Sequence, residues 1–303
     1  MTIFKGSGVA LITPMKEDGS VDYEQLKELA EWHVQEGSDA IIACGTTGEA
    51  STLVDEEHLA VIDTVVKQVN GRIPVIAGTG SNDTKHGIFL SVEAEKLGVD
   101  GLLIVTPYYN KATKKSLVAH YEAICSQVNL PVILYSVPSR TALNLTVEMV
   151  TELKKIPNIK GIKEASGDIS QIVAMARLVD EDFALYSGND DQVLPMLSVG
   201  GSGVISTIGN IAPKQTSQMI HHYFAGELET AKEIQLAQIP LIQVIFSEVN
   251  PVPVKKAVGL LKGIETENME TEVTKEPKMT GTEEETAKAP ETPEPVEEIG
   301  TQV

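Results

Sequence analysis

The residue with the clearest chemical potential is Lys163, which ends the short apolar run Ile159-Lys160-Gly161-Ile162-Lys163 ahead of a Ser-Gly loop. A lysine at the carboxyl end of a buried strand is poorly placed for a solvated charge, because desolvation disfavours the ammonium form. The free amine is the species that attacks a carbonyl, so the position suits Schiff-base chemistry. A strand-end lysine can also simply snorkel into water, so the case rests on the residues around it. Tyr135 closes another apolar run, and a phenol beside Lys163 can relay protons. The loop Gly45-Thr46-Thr47-Gly48 can turn tightly enough for amides and hydroxyls to surround a small carboxylate. Arg140, in Val137-Pro138-Ser139-Arg140-Thr141, is expected on the loop just beyond Tyr135, where its guanidinium can grip a second carboxylate bidentately. Read singly, these are also a packed core tyrosine, a plain Gly-Thr turn and a surface arginine. No His, Cys, Asp or Glu cluster shows metal-ligand spacing, so metal-assisted chemistry is not expected.

Such residues need a scaffold that gathers them at one end. Apolar runs rich in Val and Ile occur at 8–13, 39–43, 73–77, 101–105, 131–135, 159–163, 183–187 and 203–206. Short continuous runs of this kind suit parallel strands buried on both faces. Between them lie amphipathic stretches at 22–36, 55–70, 84–97, 113–128, 145–155, 169–180, 190–199 and 212–225, with Asp22, Asp55 and Thr84 as candidate N-caps and Gly37, Gly71 and Gly98 following helix ends. Eight strand–helix units over about 225 residues predict a (β/α)8 TIM barrel, whose chemistry lies at the carboxyl ends of its strands. A doubly wound open sheet is the runner-up, weakened because no Gly-x-Gly-x-x-Gly follows the first strand. The strand ends then bring together Thr13-Pro14, the Gly-Thr-Thr-Gly-Glu loop, Gly78-Thr79-Gly80, Thr106-Pro107-Tyr108-Tyr109, Tyr135, Lys163, Ser187-Gly188 and Ser206.

The 303 residues include 42% hydrophobic types and carry a net charge of −19. That charge argues against nucleic acid as a partner. No basic-led apolar leader or membrane span is evident, and Cys44 and Cys125 read as buried or semi-buried thiols of a reducing cytosol. Residues 264–303 hold twelve Glu and three Lys among Thr and Pro. Such a stretch offers too little apolar surface to offset its ordering entropy and is expected to be disordered. The expected organisation is therefore a catalytic barrel over 1–225, a helical extension over 226–263 and an acidic tail over 264–303.

Seven motifs, in order, carry a resemblance: GTTGEAST (45–52), VTPYYNK (105–111), LYSVPSRT (134–141), GIKEASGD (161–168), YSGNDD (186–191), GVIS (203–206) and NPVPVK (250–255). From Phe4 to about Gly263 the chain resembles the dihydrodipicolinate synthases, within the pyruvate-dependent class I aldolase-like barrels that also include N-acetylneuraminate lyase. The resemblance implies that Lys163 forms an imine with pyruvate and that Thr47, with the loop amides, holds the pyruvate carboxylate. It makes Tyr135, Thr46 and Tyr109 a proton-relay triad, with Tyr109 reaching into a neighbouring subunit across the tight interface of a homodimer or homotetramer. It gives Arg140 the carboxylate of L-aspartate-4-semialdehyde, and it sets Gly188 and Ile205 in the pocket lining. No cofactor beyond the covalent pyruvate imine is implied, and the activity the resemblance implies is one of lysine biosynthesis, expected in the cytoplasm. The arginine after Pro-Ser and the Gly-Thr-Thr-Gly loop favour a synthase over sugar-acid or sialic-acid lyases of the same barrel family, the nearest alternative. A catalytically silent metabolite-binding barrel is a further one.

Three departures stand out. Ser136 replaces the asparagine usual after the tyrosine. The family's closing segment is not recognisable where the acidic tail stands. The lysine feedback site of sensitive relatives maps to Ser51, Asp55, His58, Asn82, His86 and Tyr108, with His86 where a glutamate is usual and Asp55 where a histidine is. A bound lysine ammonium would lose an acidic partner there, so feedback inhibition is not expected.

Overall fold

A computed structural model describes residues 2–263. Eight parallel strands close into a barrel in chain order: β1 (Gly6–Ala10), β2 (Ala40–Ala43), β3 (Val75–Gly78), β4 (Gly101–Val105), β5 (Val132–Ser136), β6 (Ile159–Glu164), β7 (Ala184–Ser187) and β8 (Gly203–Ser206). The helices are α1 (Tyr23–Gln35), α2 (Asp55–Val69), α3 (Thr84–Lys96), α4 (Lys114–Cys125), α5 (Pro138–Thr141), α6 (Val147–Leu153), α7 (Ile169–Ala176), α8 (Val193–Ser198), α9 (Pro213–Phe224), α10 (Leu228–Ile245) and α11 (Val252–Lys262). This is the expected (β/α)8 barrel, with α10 and α11 following the eighth unit. The acidic stretch 264–303 and its expected disorder lie outside the described residues. Among the described residues no helix is long and apolar enough to cross a membrane.

The strands are almost wholly buried, as strands covered on both faces must be. Phe4 plugs the amino-terminal end of the barrel, stacked on Tyr186 with ring centroids 4.4 Å apart, while the Tyr186 hydroxyl donates to the Phe4 carbonyl at 2.7 Å. Above them Ile42, Ile76, Leu103, Ile133 and Ile205 fill the interior. A larger apolar cluster lies between strands and helices, and Ile41, Val61, Ile62, Leu102, Leu117 and Ile162 belong to it.

Boundaries moved where polar groups ended an element. The first run, expected over 8–13, leaves the sheet after Ala10 because the Ile12 amide donates to Asn210 Oδ1 at 3.0 Å instead of to a strand. Asp22 caps α1 as expected, accepting from the Gln25 amide at 3.1 Å. Asp55 and Thr84 are not caps. Val54 holds the cap position of α2 without a side-chain bond, while Asp55, Glu56 and Glu57 fill its first turn, where their charge complements the helix dipole. Asp83 caps α3 through the Lys85 amide. At α3 a cap one residue away from the expected one satisfies the same orphan amides.

Candidate active site

The register of the sheet sets Tyr135 of β5 beside Lys163 of β6, and Lys163 beside Tyr186 of β7. Tyr135 and Tyr186 both belong to the interior cluster, so Lys163 shares a rung with two inward-facing phenols. Lys163 is only 5% exposed, and its Nζ stands 4.4 Å from the centroid of the Tyr135 ring. Gly188, just past β7, leaves the space that the lysine stem occupies. A Cβ there would lie 3.1 Å from Lys163 Cε and 2.5 Å from Ala165 Cβ. Ile205 of β8 is fully buried in the same interior cluster.

The Gly-Thr-Thr-Gly loop crosses the rim between β2 and α2. Cys44 and Glu49, at its two ends, hold left-handed φ values of 54° and 56°. It lies so close over β3 that a Cβ on Gly78 would come within 2.1 Å of the Cys44 carbonyl oxygen. Thr46 lines the central cavity, whereas Thr47 is buried and its Oγ1 accepts from Asn250 Nδ2 at 3.0 Å. Arg140 does not lie on an open loop. It rides the one-turn helix α5, which Pro138 starts and Ala142 ends in a left-handed conformation, and its Nη2 donates to the Asn250 carbonyl at 2.8 Å.

Thr46, Tyr135 and Arg140 open onto one cavity of about 300 Å3. No hydrogen bond joins Thr46 to Tyr135 among the described residues. Tyr109 is not with them: it is 88% exposed, at a left-handed φ of 70°. The cavity continues past Ser51, Tyr108, His58 and His86. There His86 Nε2 stands 2.8 Å from Asp55 Oδ1 and its Nδ1 stands 3.1 Å from Ser81 Oγ. Burial lowers the pKa of His58, whose Nε2 lies 2.9 Å from the Gly78 carbonyl. Burial also raises the carboxyl pKa of Asp190, which accepts from Ser206 Oγ and from the Thr207 and Ile208 amides. Among the described residues no group of three or more His, Cys, Asp or Glu is arranged to hold a metal ion.

Sequence reading missed what lies behind the loop. Lys255 of α11 and Glu49 form an ion pair at 2.6 Å with both side chains essentially inaccessible, and Asn250 touches both Thr47 and Arg140. The available signal was a lysine between the apolar positions Val252, Val254 and Val258 of one helix. A lysine on a buried stripe requires a buried partner.

A closed parallel barrel thus carries a buried lysine and a buried phenol on adjacent strands at its carboxyl rim. The sequence model of the dihydrodipicolinate synthetase family matches residues 3–290, and the chain belongs to that family. The 4-hydroxy-tetrahydrodipicolinate synthase of Caldicellulosiruptor bescii is 54% identical over 261 residues, covering 86% of this chain and 88% of that one. The crystal structure of dihydrodipicolinate synthase from Aquifex aeolicus superposes with a TM-score of 0.85 at 43% identity, over 88% of this chain and 90% of that one. That of the chloride-inhibited enzyme from Acinetobacter baumannii, complexed with pyruvate, gives 0.84 at 44% identity, over 86% and 90%.

Proposed function

We propose that this chain catalyses the 4-hydroxy-tetrahydrodipicolinate synthase reaction, as a carbon–carbon lyase of the class I aldolase type. The observation that carries the reading is the Lys163–Tyr135 pair on adjacent strands, with Thr46 and Arg140 opening onto the cavity beside it. The Lys163 amine adds to C2 of pyruvate, and loss of water gives the imine. The imine acidifies the pyruvate methyl group, and loss of a proton leaves an enamine. The enamine carbon attacks the aldehyde carbon of L-aspartate-4-semialdehyde, whose oxygen takes up a proton. The amino group of the adduct then attacks the imine carbon, closes the ring and releases Lys163.

Placement supports the residue roles of this reading. Tyr135, over whose ring the amine sits, passes protons during imine formation and release. Thr47 spends an acceptor position on Asn250 and keeps its hydroxyl proton for the pyruvate carboxylate, beside the amides of the loop. Arg140 at the cavity mouth takes the carboxylate of the semialdehyde. Tyr109, turned outward from its own chain, joins the relay of a neighbouring copy.

Borohydride trapping with pyruvate, followed by peptide mapping, tests the imine. One pyruvyl unit is expected on Lys163 and none in Lys163→Ala. Labelling elsewhere would overturn the mechanism. Condensation with aspartate semialdehyde, against cleavage of 2-keto-3-deoxy sugar acids or sialic acid, tests the substrate.

A further inference from the structure

The Gly-Thr-Thr-Gly loop and Arg140 come from different strand ends, yet one residue outside the barrel strands touches both. Asn250 stands between α10 and α11 and is 7% exposed. Its side-chain Nδ2 donates to Thr47 Oγ1 at 3.0 Å, and its carbonyl oxygen accepts from Arg140 Nη2 at 2.8 Å. Its Oδ1 is buried without a hydrogen-bond partner among the described residues. A buried acceptor left unpaired is costly, so a side chain held that way is placed for something other than its own solvation.

The segment carrying Asn250 is itself anchored. Five residues on, Lys255 reaches the far end of the same loop and pairs with Glu49 at 2.6 Å, where neither side chain meets water. Glu49 keeps a left-handed φ, a conformation that persists in a non-glycine residue only where the surroundings over-determine it. The loop is therefore held at Thr47 and at Glu49 by one stretch, Asn250–Lys255, whose first residue also seats the arginine.

We propose that Asn250 is a positioning residue that sets the two carboxylate-binding groups, Thr47 and Arg140, in register with each other, and that α11 is the strut holding it there. The proposal rests on the synthase reading of the site. It makes the spacing between the pyruvate carboxylate and the semialdehyde carboxylate a property of the helical extension. The asymmetry of the contacts fixes what a side-chain change does. Removing the amide frees Thr47 directly, whereas Arg140 keeps a backbone partner that is only less firmly placed.

Asn250→Ala and Asn250→Asp test this by steady-state kinetics with both substrates, alongside thermal melts. Asn250→Ala is expected to raise the pyruvate KM about tenfold and the semialdehyde KM by a smaller factor. In Asn250→Asp the new carboxylate repels that of pyruvate, and burial at this position together with that repulsion raises its pKa. Its pyruvate KM should therefore fall markedly as pH drops from 8 towards 5.5 and the acid protonates, relative to the parent enzyme. A purely structural residue would lower the melting temperature and leave both KM values and that pH trend unchanged, which would overturn the proposal. Should the alanine variant fail to fold, the pH trend of the near-isosteric aspartate decides alone. If the parent enzyme itself does not condense the two substrates, the reaction assignment fails. If it does and the variants match it, only the role of Asn250 falls.

Discussion

Gly188→Ala puts the tightest geometry of the site under load. The added Cβ meets three groups at once: Ala165 Cβ at 2.5 Å, the Glu164 carbonyl at 3.1 Å and Lys163 Cε at 3.1 Å. The lysine stem is flexible and can yield a few tenths of an ångström. The Ala165 contact cannot, because about 0.9 Å must open to reach ordinary contact at 3.4 Å. Both backbones on that side are already committed. The Gly188 amide donates to the Glu164 carbonyl at 2.7 Å, and the Ala165 amide donates to the Ser136 carbonyl at 2.9 Å. Overpacking of this kind costs about 1–3 kcal/mol of stability, or about 2–4 °C in Tm per kcal/mol for a domain this large. The larger effect falls on the chemistry. Displacing a reacting group by about 1 Å can cost about 100-fold in rate, or about 2.7 kcal/mol of barrier.

The assay is the rate of pyruvyl adduct formation on Lys163 under borohydride, with steady-state kcat/KM and a melt on the same preparation. We expect kcat/KM to drop about 30- to 300-fold while the fold survives, with slower trapping at every pyruvate concentration. Trapping and kcat/KM both within twofold of the parent would refute the reasoning, since the void at Gly188 would then not be what positions the amine.

Arg140→Ala should lose about 2–4 kcal/mol in apparent specificity for aspartate semialdehyde while pyruvate trapping stays near the parent level; an equal fall in trapping would make Arg140 structural. Co-assembling Tyr109→Phe with Lys163→Ala should restore activity that neither variant has alone, because a hybrid pair holds one site with both parent residues; no recovery in verified hybrids would end the role of Tyr109 in a neighbouring site. Lysine at millimolar concentration should inhibit weakly or not at all, since Asp55 is already paired with His86; half-inhibition below a millimolar would contradict this. Burial holds the His33 pKa down to about 3, with Lys262 adding to the effect. Between about pH 6.5 and 3 the unfolded chain binds a proton there that the folded chain refuses, so stability is full above that window and falls as pH drops into it. The loss from pH 7 to 5 is about 2 kcal/mol, and urea unfolding at the two values should show His33→Gln losing less than the parent by about that amount.

The barrel was legible in the sequence because its strands are buried on both faces and read as continuous aliphatic runs. Gly101–Val105 and Gly203–Ser206 fall where the pattern places them. α5 was not legible, because four residues cannot show a helical period. Only Pro138 at its start hints at a turn of helix, and so Arg140 was expected on a loop. The cap positions slipped by one residue at α2 and α3 because Asp, Thr and a bare backbone can all close a first turn. Lys163 and Tyr135 were legible because each stands at the carboxyl end of an apolar run, the end at which a parallel barrel gathers its polar groups.

The contacts made by Asn250 and Lys255 were hidden for a different reason. Asn250 is 203 residues from Thr47 and 110 from Arg140, and Lys255 is 206 from Glu49. No periodicity spans such separations, so a single sequence cannot show them. It can show that a charge sits on an apolar stripe. Lys255 did so, and the partner it required proved to be the residue ending the Gly-Thr-Thr-Gly loop. Tyr109 poses the same question without an answer inside its own chain. A bulky residue at a φ of 70° and 88% exposed is strained, with little packing of its own ring to offset the cost. The cost is offset if the ring packs against something beyond this chain, and this gives the hybrid experiment its physical motive independently of the family resemblance.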